Sequence, residues 1–94
     1  MTVCIYTIIN KVSGKYYVGK STNHLVRWEF HKSKLEKGIH ENPHLQASFR
    51  KYGKSAFTFQ IIEECGVEAL DLAEHYWIRK LNATNRRYGY NVLD

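Results

Sequence analysis

Two short segments near the start of the chain place the strongest constraint on its fold. Residues 3–10 (VCIYTIIN) and residues 15–20 (KYYVGK) are rich in β-branched and aromatic side chains, which favour extended backbone. The short link Val12-Ser13-Gly14 forms turns readily, so the two segments are predicted to pair as a hairpin. Because side chains alternate along a strand, Tyr6 shares a face with Ile8 and has a definite side of the sheet.

Helical patterns and one further strand account for most of the remaining sequence. Asn23 and Pro43 are typical of helix starts, whereas Gly38 and Gly53 are typical of helix ends. The predicted elements are a helix over about residues 24–37, a helix over 43–53, a strand over 57–63, a helix over 67–82 and an aromatic tail over 88–93 that packs back on the domain.

The length of 94 residues suits a single modest hydrophobic core, so residues 1–94 are expected to form one domain. No apolar run approaches the roughly 18 residues of a membrane span, and the start lacks the features of a signal peptide, so we expect a cytoplasmic protein without a membrane partner. Cys4 and Cys65 lie in apolar segments and are expected to be unpaired thiols in the core. The abrupt end of the sequence suggests a domain of a longer protein.

Positive charge is concentrated in the first half of the chain. The formal net charge is +5, but residues 11–54 carry ten basic side chains against three acidic ones, a net of +7. Four of the five histidines also lie in this stretch. Such a cluster favours a polyanion such as nucleic acid, through neutralisation of phosphates and release of counterions. A solvated basic surface is the alternative.

Glu74 is an anomaly of the third predicted helix. At about 100° per residue, its side chain falls between those of Leu70, Trp77 and Ile78 on the apolar stripe. A carboxylate on a core-facing stripe needs a basic partner, several hydrogen bonds or a bound cation to compensate its charge. Solvent at the edge of the stripe is the alternative.

Arg27 and His31 are four residues apart, which places them one above the other on the first predicted helix. An arginine offers a planar set of donors to a phosphate that gains charge, and a histidine can pass a proton or hydrogen-bond a phosphate oxygen. The spacing alone is weak evidence, because many basic helices contain such a pair.

Tyr6, Tyr16 and Tyr17 lie on the two strands of the hairpin. Aromatic residues of a hairpin most often pack against each other. In a polar cleft, a tyrosine hydroxyl can instead position or deprotonate a water molecule. Both interpretations remain open at this point.

Other reaction types find little support in the sequence. Among the cysteines and histidines only His40 and His44 have a spacing that zinc sites use, and no second pair completes a site. There is no glycine-rich phosphate loop and no serine nucleophile motif, so nucleotide hydrolysis and acyl transfer are disfavoured.

Taken in order, these residues resemble the GIY-YIG nuclease family, over essentially the whole chain. The resemblance rests on Cys4-Ile5-Tyr6, ten intervening residues, Tyr17-Val18-Gly19, then Arg27, His31, Glu74 and Asn91. It is closest to the catalytic domain of phage intron-encoded homing endonucleases, which share stretches similar to Leu35-Glu36-Lys37-Gly38 with His40, Leu45-Gln46 with Ser48-Phe49, and Trp77-Ile78. One departure is Cys4 in place of the first motif glycine, from which we expect a change in packing and no loss of chemistry.

The resemblance implies an α+β fold, with a three-stranded antiparallel sheet flanked by about three or more helices. It implies that Glu74 is the protein ligand of one divalent ion, normally Mg²⁺ and alternatively Mn²⁺, and that Arg27 offsets charge on the scissile phosphate. Tyr6 would act on the attacking water as general base or orienting group. The remaining implied roles are catalytic for Tyr17 and His31, DNA-binding for Lys20, Arg27, Lys32, Lys34, His40 and Arg50, and structural support for Gly19 and Asn91.

The expected function is metal-dependent hydrolysis of phosphodiester bonds in double-stranded DNA, one strand at a time, by a domain that is monomeric when isolated. A separate C-terminal DNA-binding region of the intact protein is expected to supply specificity. One alternative is a non-catalytic DNA-binding module with the same fold. Another is a repair or restriction nuclease that uses this domain.

Overall fold

A three-stranded antiparallel sheet forms the centre of the fold, in a computed structural model that describes residues 2–92. The strands are β1 (Cys4–Asn10), β2 (Tyr16–Ser21) and β3 (Phe57–Glu64), in the spatial order β2-β1-β3. The predicted hairpin and third strand are therefore confirmed. In the β1–β2 ladder Tyr6 lies opposite Gly19.

Within the described residues, three α-helices flank the sheet: α1 (His24–Lys37), α2 (Pro43–Tyr52) and α3 (Leu70–Lys80). The Asn23 side chain accepts a hydrogen bond from the amide of Val26 at the start of α1, and Gly38 ends this helix in a left-handed conformation, with φ of 75°. These two caps explain why the helix has the predicted limits.

The third helix is shorter than the predicted span of residues 67–82. Residues 67–69 form a 3-10 turn, and Ala69, at the N-cap of α3, offers no side-chain hydrogen bond to the free amides of the first turn. The helix ends at Lys80, two residues before Asn82 adopts a positive φ of 54°. The absence of a capping side chain accounts for the later start, and the positive φ of Asn82 is incompatible with a helix that continues through residue 82.

Hydrophobic residues pack on both faces of the sheet. On one face Tyr6 and Ile8 pack with Leu35 of α1 and Leu45 of α2. On the other face the buried cluster consists of Ile5, Val18, Leu70 and Ala83. The alternation predicted for β1 is thus confirmed, and it directs Tyr6 toward α1 and α2.

The tail packs back on the hairpin, as predicted. Gly89 forms a parallel bridge with Tyr16, and the buried Tyr90 hydroxyl lies 2.7 Å from Ser48 Oγ. Asn91 accepts a hydrogen bond from the Val18 amide (2.8 Å) and donates one to the Val18 carbonyl (2.9 Å). Leu93, the last residue of the predicted tail, lies outside the described residues.

Cys4 and Cys65 are unpaired thiols, the first buried and the second partly exposed. Within residues 2–92, every helix is too short or too polar to traverse a lipid bilayer.

Candidate active site

Four of the predicted catalytic side chains gather on the α1 face of the sheet. The Tyr6 hydroxyl oxygen lies 2.5 Å from His31 Nε2, and the rings of Tyr17 and His31 have centroids 5.4 Å apart. Tyr17 lies opposite Ile8 in the β1–β2 ladder, and residues paired across a ladder share a face. The register of the hairpin therefore brings both tyrosines to α1, which carries Arg27 and His31.

Gly19 allows this close packing. A Cβ atom built at Gly19 would lie 2.7 Å from Cε2 of Tyr6 and closer still to Cζ and the hydroxyl oxygen. Only a residue without a side chain fits opposite Tyr6 at this distance. The supporting role expected of Gly19 thus has a concrete steric basis.

The two tyrosines differ in their access to solvent. Tyr6 and His31 are each 0% exposed, whereas Tyr17 and Arg27 are partly exposed. Tyr6 therefore has no surface that a water molecule could touch without a movement of its neighbours, and its direct action on a water molecule stays a prediction. Tyr17 and Arg27 are the members of the group that face solvent.

Burial is the largest cause of the shifted pKa values of Tyr6, Tyr17 and His31. It raises the pKa of Tyr6, an effect to which the neighbouring Tyr17 phenol adds and which the Arg27 guanidinium opposes. Burial likewise raises the pKa of Tyr17, with Arg27 again opposing. The pKa of His31 is lowered to about 4 by burial, by the charge of Arg27 and by His40. Near neutral pH the phenols are protonated and His31 is uncharged.

Glu74 lies beside this group rather than within it. Its side chain is 20% exposed, and Oε1 lies 3.6 Å from Nζ of Lys20, which also pairs with Asp71. Its charge contributes to the raised pKa of Tyr6 and of Tyr17, although no hydrogen bond or ion pair within residues 2–92 joins them. A basic partner, one of the three predicted forms of compensation, is thus present.

The Glu74 carboxylate suits a single hard cation. Among residues 2–92 its partner is the Lys20 ammonium group at 3.6 Å, which is longer than a hydrogen bond and leaves oxygen lone pairs available to a ligand. The described part of the chain contains no group of three or more histidine, cysteine or acidic side chains that could enclose a metal. An ion here would have one protein carboxylate and complete its coordination with water and phosphate oxygens, as Mg²⁺ commonly does.

Most of the cations expected to bind DNA have partners within the chain. Lys20 is engaged with Asp71 and Glu74, and Arg50 donates a hydrogen bond to the Gly38 carbonyl at 2.9 Å. The other exposed or partly exposed cations of this set lie over aromatic rings: Arg27 and Lys34 over Phe30, and Lys32 over Phe59. In these contacts the charged head groups themselves are held at the surface of the protein.

His40 does not fit its expected role as a DNA contact. Its side chain is buried, with only 7% of the residue exposed, and both ring nitrogens have partners in the protein. Nε2 lies 2.7 Å from Nδ1 of His31, and Nδ1 accepts a hydrogen bond from the Asn42 amide. A contact between His40 and DNA would therefore require a movement of its neighbours, and it stays a prediction.

A basic pocket of about 280 Å³, which was not predicted from the sequence, is lined by Lys15, Lys51 and Arg86 together with His44. Lys15 and Lys51 were recognised as part of the basic segment, but Arg86 lies far from them in sequence. Only the packing of the tail against α2 and the hairpin brings these cations together.

Comparisons with known proteins agree with the fold. Residues 2–90 match the family described as the GIY-YIG catalytic domain. Over 93 residues the chain is 41% identical to intron-associated endonuclease 1 of Enterobacteria phage T4. This match covers 96% of the chain and 36% of the phage protein. The chain therefore spans about a third of the length of this relative.

Two solved structures are similar to the chain. One is a mutant of the catalytic domain of intron endonuclease I-TevI, with 36% identity, a TM-score of 0.89 and coverage of 100% of this chain and 96% of the other. The second is the catalytic domain of homing endonuclease I-TevI, with 36% identity, a TM-score of 0.89 and coverage of 98% and 99%.

Proposed function

The chain belongs to the GIY-YIG nuclease family, and from that membership we propose that it is the catalytic domain of an endonuclease that hydrolyses phosphodiester bonds in double-stranded DNA. The observation that carries this proposal is the grouping of partly exposed Tyr17 and Arg27 over the buried Tyr6–His31 pair, with Glu74 beside them. Residues 1–94 are proposed to act as one catalytic domain.

Arg27 is proposed to bind the scissile phosphate. Its guanidinium is partly exposed, lies over the Phe30 ring at 5.1 Å and is 3.8 Å from Glu41. A planar set of N–H donors matches phosphoryl oxygens in pairs and stabilises the charge that they gain in the transition state. The salt bridge with the exposed Glu41 is weak and can be exchanged for a phosphate contact.

Tyr17 is proposed to contact the attacking water, because it is the phenol of the group that solvent can reach. Its raised pKa keeps it protonated near neutral pH, so it orients the water through its hydroxyl. It could take a proton from the water only as a phenolate, after its own hydroxyl proton has passed to solvent, a loss that the adjacent Arg27 charge favours. Tyr6 is proposed to hold Arg27 and His31 in place from behind.

Glu74 is proposed to bind one divalent ion, Mg²⁺ or Mn²⁺. When bound, such an ion supplies positive charge to the phosphate and to the leaving oxygen. Lys20 competes for the same carboxylate. After its release from Glu74, Lys20 could exchange its remaining salt bridge with the exposed Asp71 for a contact to the DNA backbone. One carboxylate and one group of catalytic side chains suit the cutting of one strand at a time.

Lys32, Lys34 and Arg50 are proposed to bind the DNA backbone, since each is held at the surface by a contact to its stem or head group. Backbone contacts position DNA but carry little sequence information. Recognition of a target sequence is therefore proposed for a separate region of the intact protein, and the greater length of the phage relative supports this.

Cleavage of a supercoiled plasmid tests the proposal. The parent chain is expected to produce nicked or linear DNA with Mg²⁺ but not with EDTA, and Glu74→Gln and Arg27→Ala are each expected to lower the rate by about 10³-fold or more. The matched controls are Glu36→Gln, which alters an exposed carboxylate with a lysine partner at 3.7 Å, and Arg79→Ala on an exposed position of α3.

The outcomes separate the alternatives. DNA binding without metal-dependent cutting by the parent chain would contradict the proposal and support a non-catalytic module. Equal loss of activity in the variants and in their controls would show that charge alone, and not the site, controls the rate.

A further inference from the structure

A chain of three hydrogen bonds runs behind the site, from the backbone of one loop to the phenol of Tyr6. The Asn42 amide lies 3.0 Å from His40 Nδ1, His40 Nε2 lies 2.7 Å from His31 Nδ1, and His31 Nε2 lies 2.5 Å from the Tyr6 hydroxyl oxygen. All four residues are buried, the most exposed being Asn42 at 8%. Water therefore has little access to replace any of these bonds.

The first bond fixes the proton of His40. A backbone N–H can only donate, so His40 Nδ1 must accept the Asn42 hydrogen and must carry a lone pair. A neutral imidazole has one protonated and one unprotonated nitrogen. The proton of neutral His40 therefore lies on Nε2, which points at His31.

The proton of His31 is fixed in the same way by its bond with His40. His40 Nε2 donates to His31 Nδ1, so His31 Nδ1 carries a lone pair and the proton of neutral His31 lies on Nε2. The two ring planes are within 17° of each other and their centroids are 5.0 Å apart, as expected of rings joined edge to edge. His31 Nε2 then donates to the oxygen of Tyr6.

A charged His31 is incompatible with this arrangement. An imidazolium at His31 would present an N–H at Nδ1, and His40 would then need unprotonated nitrogens toward both His31 and Asn42. Burial and the charge of Arg27 also lower the pKa of His31. Neither nitrogen of His31 is thus free to take a proton.

We propose that His31 is a fixed hydrogen-bond donor to the Tyr6 oxygen, and that His40 is the positioning residue that imposes this role on it. His31 is then excluded as the proton acceptor for the attacking water. The hydrogen of the Tyr6 hydroxyl then points away from His31, and the oxygen keeps one orientation. This inference rests on the proposed function only for its effect on cleavage.

The protonation of the rings can be measured directly on the parent chain. Long-range ¹H–¹⁵N correlation spectra at pH 7, without DNA or metal, are expected to show Nε2 protonated and Nδ1 unprotonated in both His31 and His40. A proton on His31 Nδ1, or a charged His31, would overturn the proposal. Because this experiment requires no cleavage, it remains decisive even if the chain fails to cut DNA.

Variants of His40 test its positioning role. In His40→Ala the His31 ring is expected to become a mixture of both tautomers, and the single-turnover cleavage rate is expected to fall about ten- to a hundred-fold, with DNA affinity within about two-fold of the parent. His40→Gln, whose amide can still donate to His31, is expected to recover most of the rate. His75→Ala, at an exposed position of α3, is the control.

The variants are compared at a temperature where each is folded by circular dichroism. A His40→Ala chain that keeps a single His31 tautomer and the parent rate would refute the positioning role. Equal losses in His40→Ala and His40→Gln would also contradict it, because loss of packing and not loss of a donor would then explain the effect.

Discussion

Replacing Gly19 with alanine introduces a methyl group directly against the buried ring of Tyr6. The added Cβ would lie 2.7 Å from Tyr6 Cε2 and closer to Cζ and the hydroxyl oxygen, whereas ordinary contacts begin at 3.4 Å. Tyr6 is 0% exposed and is held by its bond to His31, so its ring cannot turn into solvent. The ring or strand β2 must therefore shift by roughly 1 Å, and overpacking of this kind costs about 1–3 kcal/mol.

This cost corresponds to a fall in melting temperature of about 4–8 °C for each kcal/mol in a domain of this size. A displacement of about 1 Å among catalytic groups also lowers the rate by about 10²-fold. Thermal unfolding followed by circular dichroism, with plasmid cleavage well below the melting temperature, measures both effects.

Gly14→Ala is a matched control for Gly19→Ala. Gly14 has a φ of 79° and nothing within 4 Å of a built Cβ, so the alanine there costs stability through backbone strain alone, about 1–2 kcal/mol. Its cleavage rate is expected to match that of the parent. A Gly19→Ala chain with the melting temperature and rate of the parent would refute the packing argument, as would an equal loss of rate in Gly14→Ala.

Three further predictions concern single side chains. Tyr17→Phe is expected to lower the cleavage rate by about 10²-fold or more with little change in melting temperature. Tyr6→Phe is expected to lower both the rate and the melting temperature, because it leaves the buried His31 donor without an acceptor. A loss of stability in Tyr17→Phe and not in Tyr6→Phe would contradict the roles proposed for the two phenols. Asn91→Ala removes both bonds to the Val18 backbone and is expected to cost about 1–3 kcal/mol in urea unfolding, and an unchanged midpoint would contradict this. The pKa of His31 is lowered to about 4 in the folded state, so its contribution to stability is present above pH 6.5 and is lost as the pH falls toward 4. The free energy of unfolding of the parent is therefore expected to fall by about 2 kcal/mol between pH 7 and pH 5, and that of His31→Gln is not. Equal losses in the two chains would show that other groups are responsible.

The sequence predicts the fold well wherever an element has its own start and stop residues. Helix α1 has the predicted limits because Asn23 caps its first turn and Gly38 ends it in a left-handed conformation. Helix α3 has no such cap at Ala69, so helix propensity alone overestimated its length. Residues next to α1 in sequence thus set its limits, whereas α3 has no capping side chain of this kind at its start.

The sequence indicated which side chains come together at the site, but not how deeply each of them is buried. Helical spacing places Arg27 and His31 on one surface of α1, and alternation places Tyr6 on the same face of the sheet as Ile8. The complete burial of Tyr6 depends on Gly19 and on the helices packed above it, which are distant in sequence. The burial of His40, which was predicted to bind DNA, could not be foreseen for the same reason, since it depends on contacts with His31 and Gln46.

The difference in depth divides the side chains into two layers with different consequences for mutation. The outer layer, Tyr17 and Arg27, is partly exposed, so truncation there removes the contacts proposed for the phosphate and the water and leaves few buried groups without partners. The inner layer, Tyr6, His31 and His40, is buried and hydrogen-bonded, and loss of one member leaves a polar atom of the next without a partner at a cost of about 1–3 kcal/mol. Outer variants should therefore lose rate at nearly constant stability, whereas inner variants should lose rate and stability together. A double-mutant cycle between His31 and His40 should show coupling in both quantities, because each residue satisfies the hydrogen bond of the other.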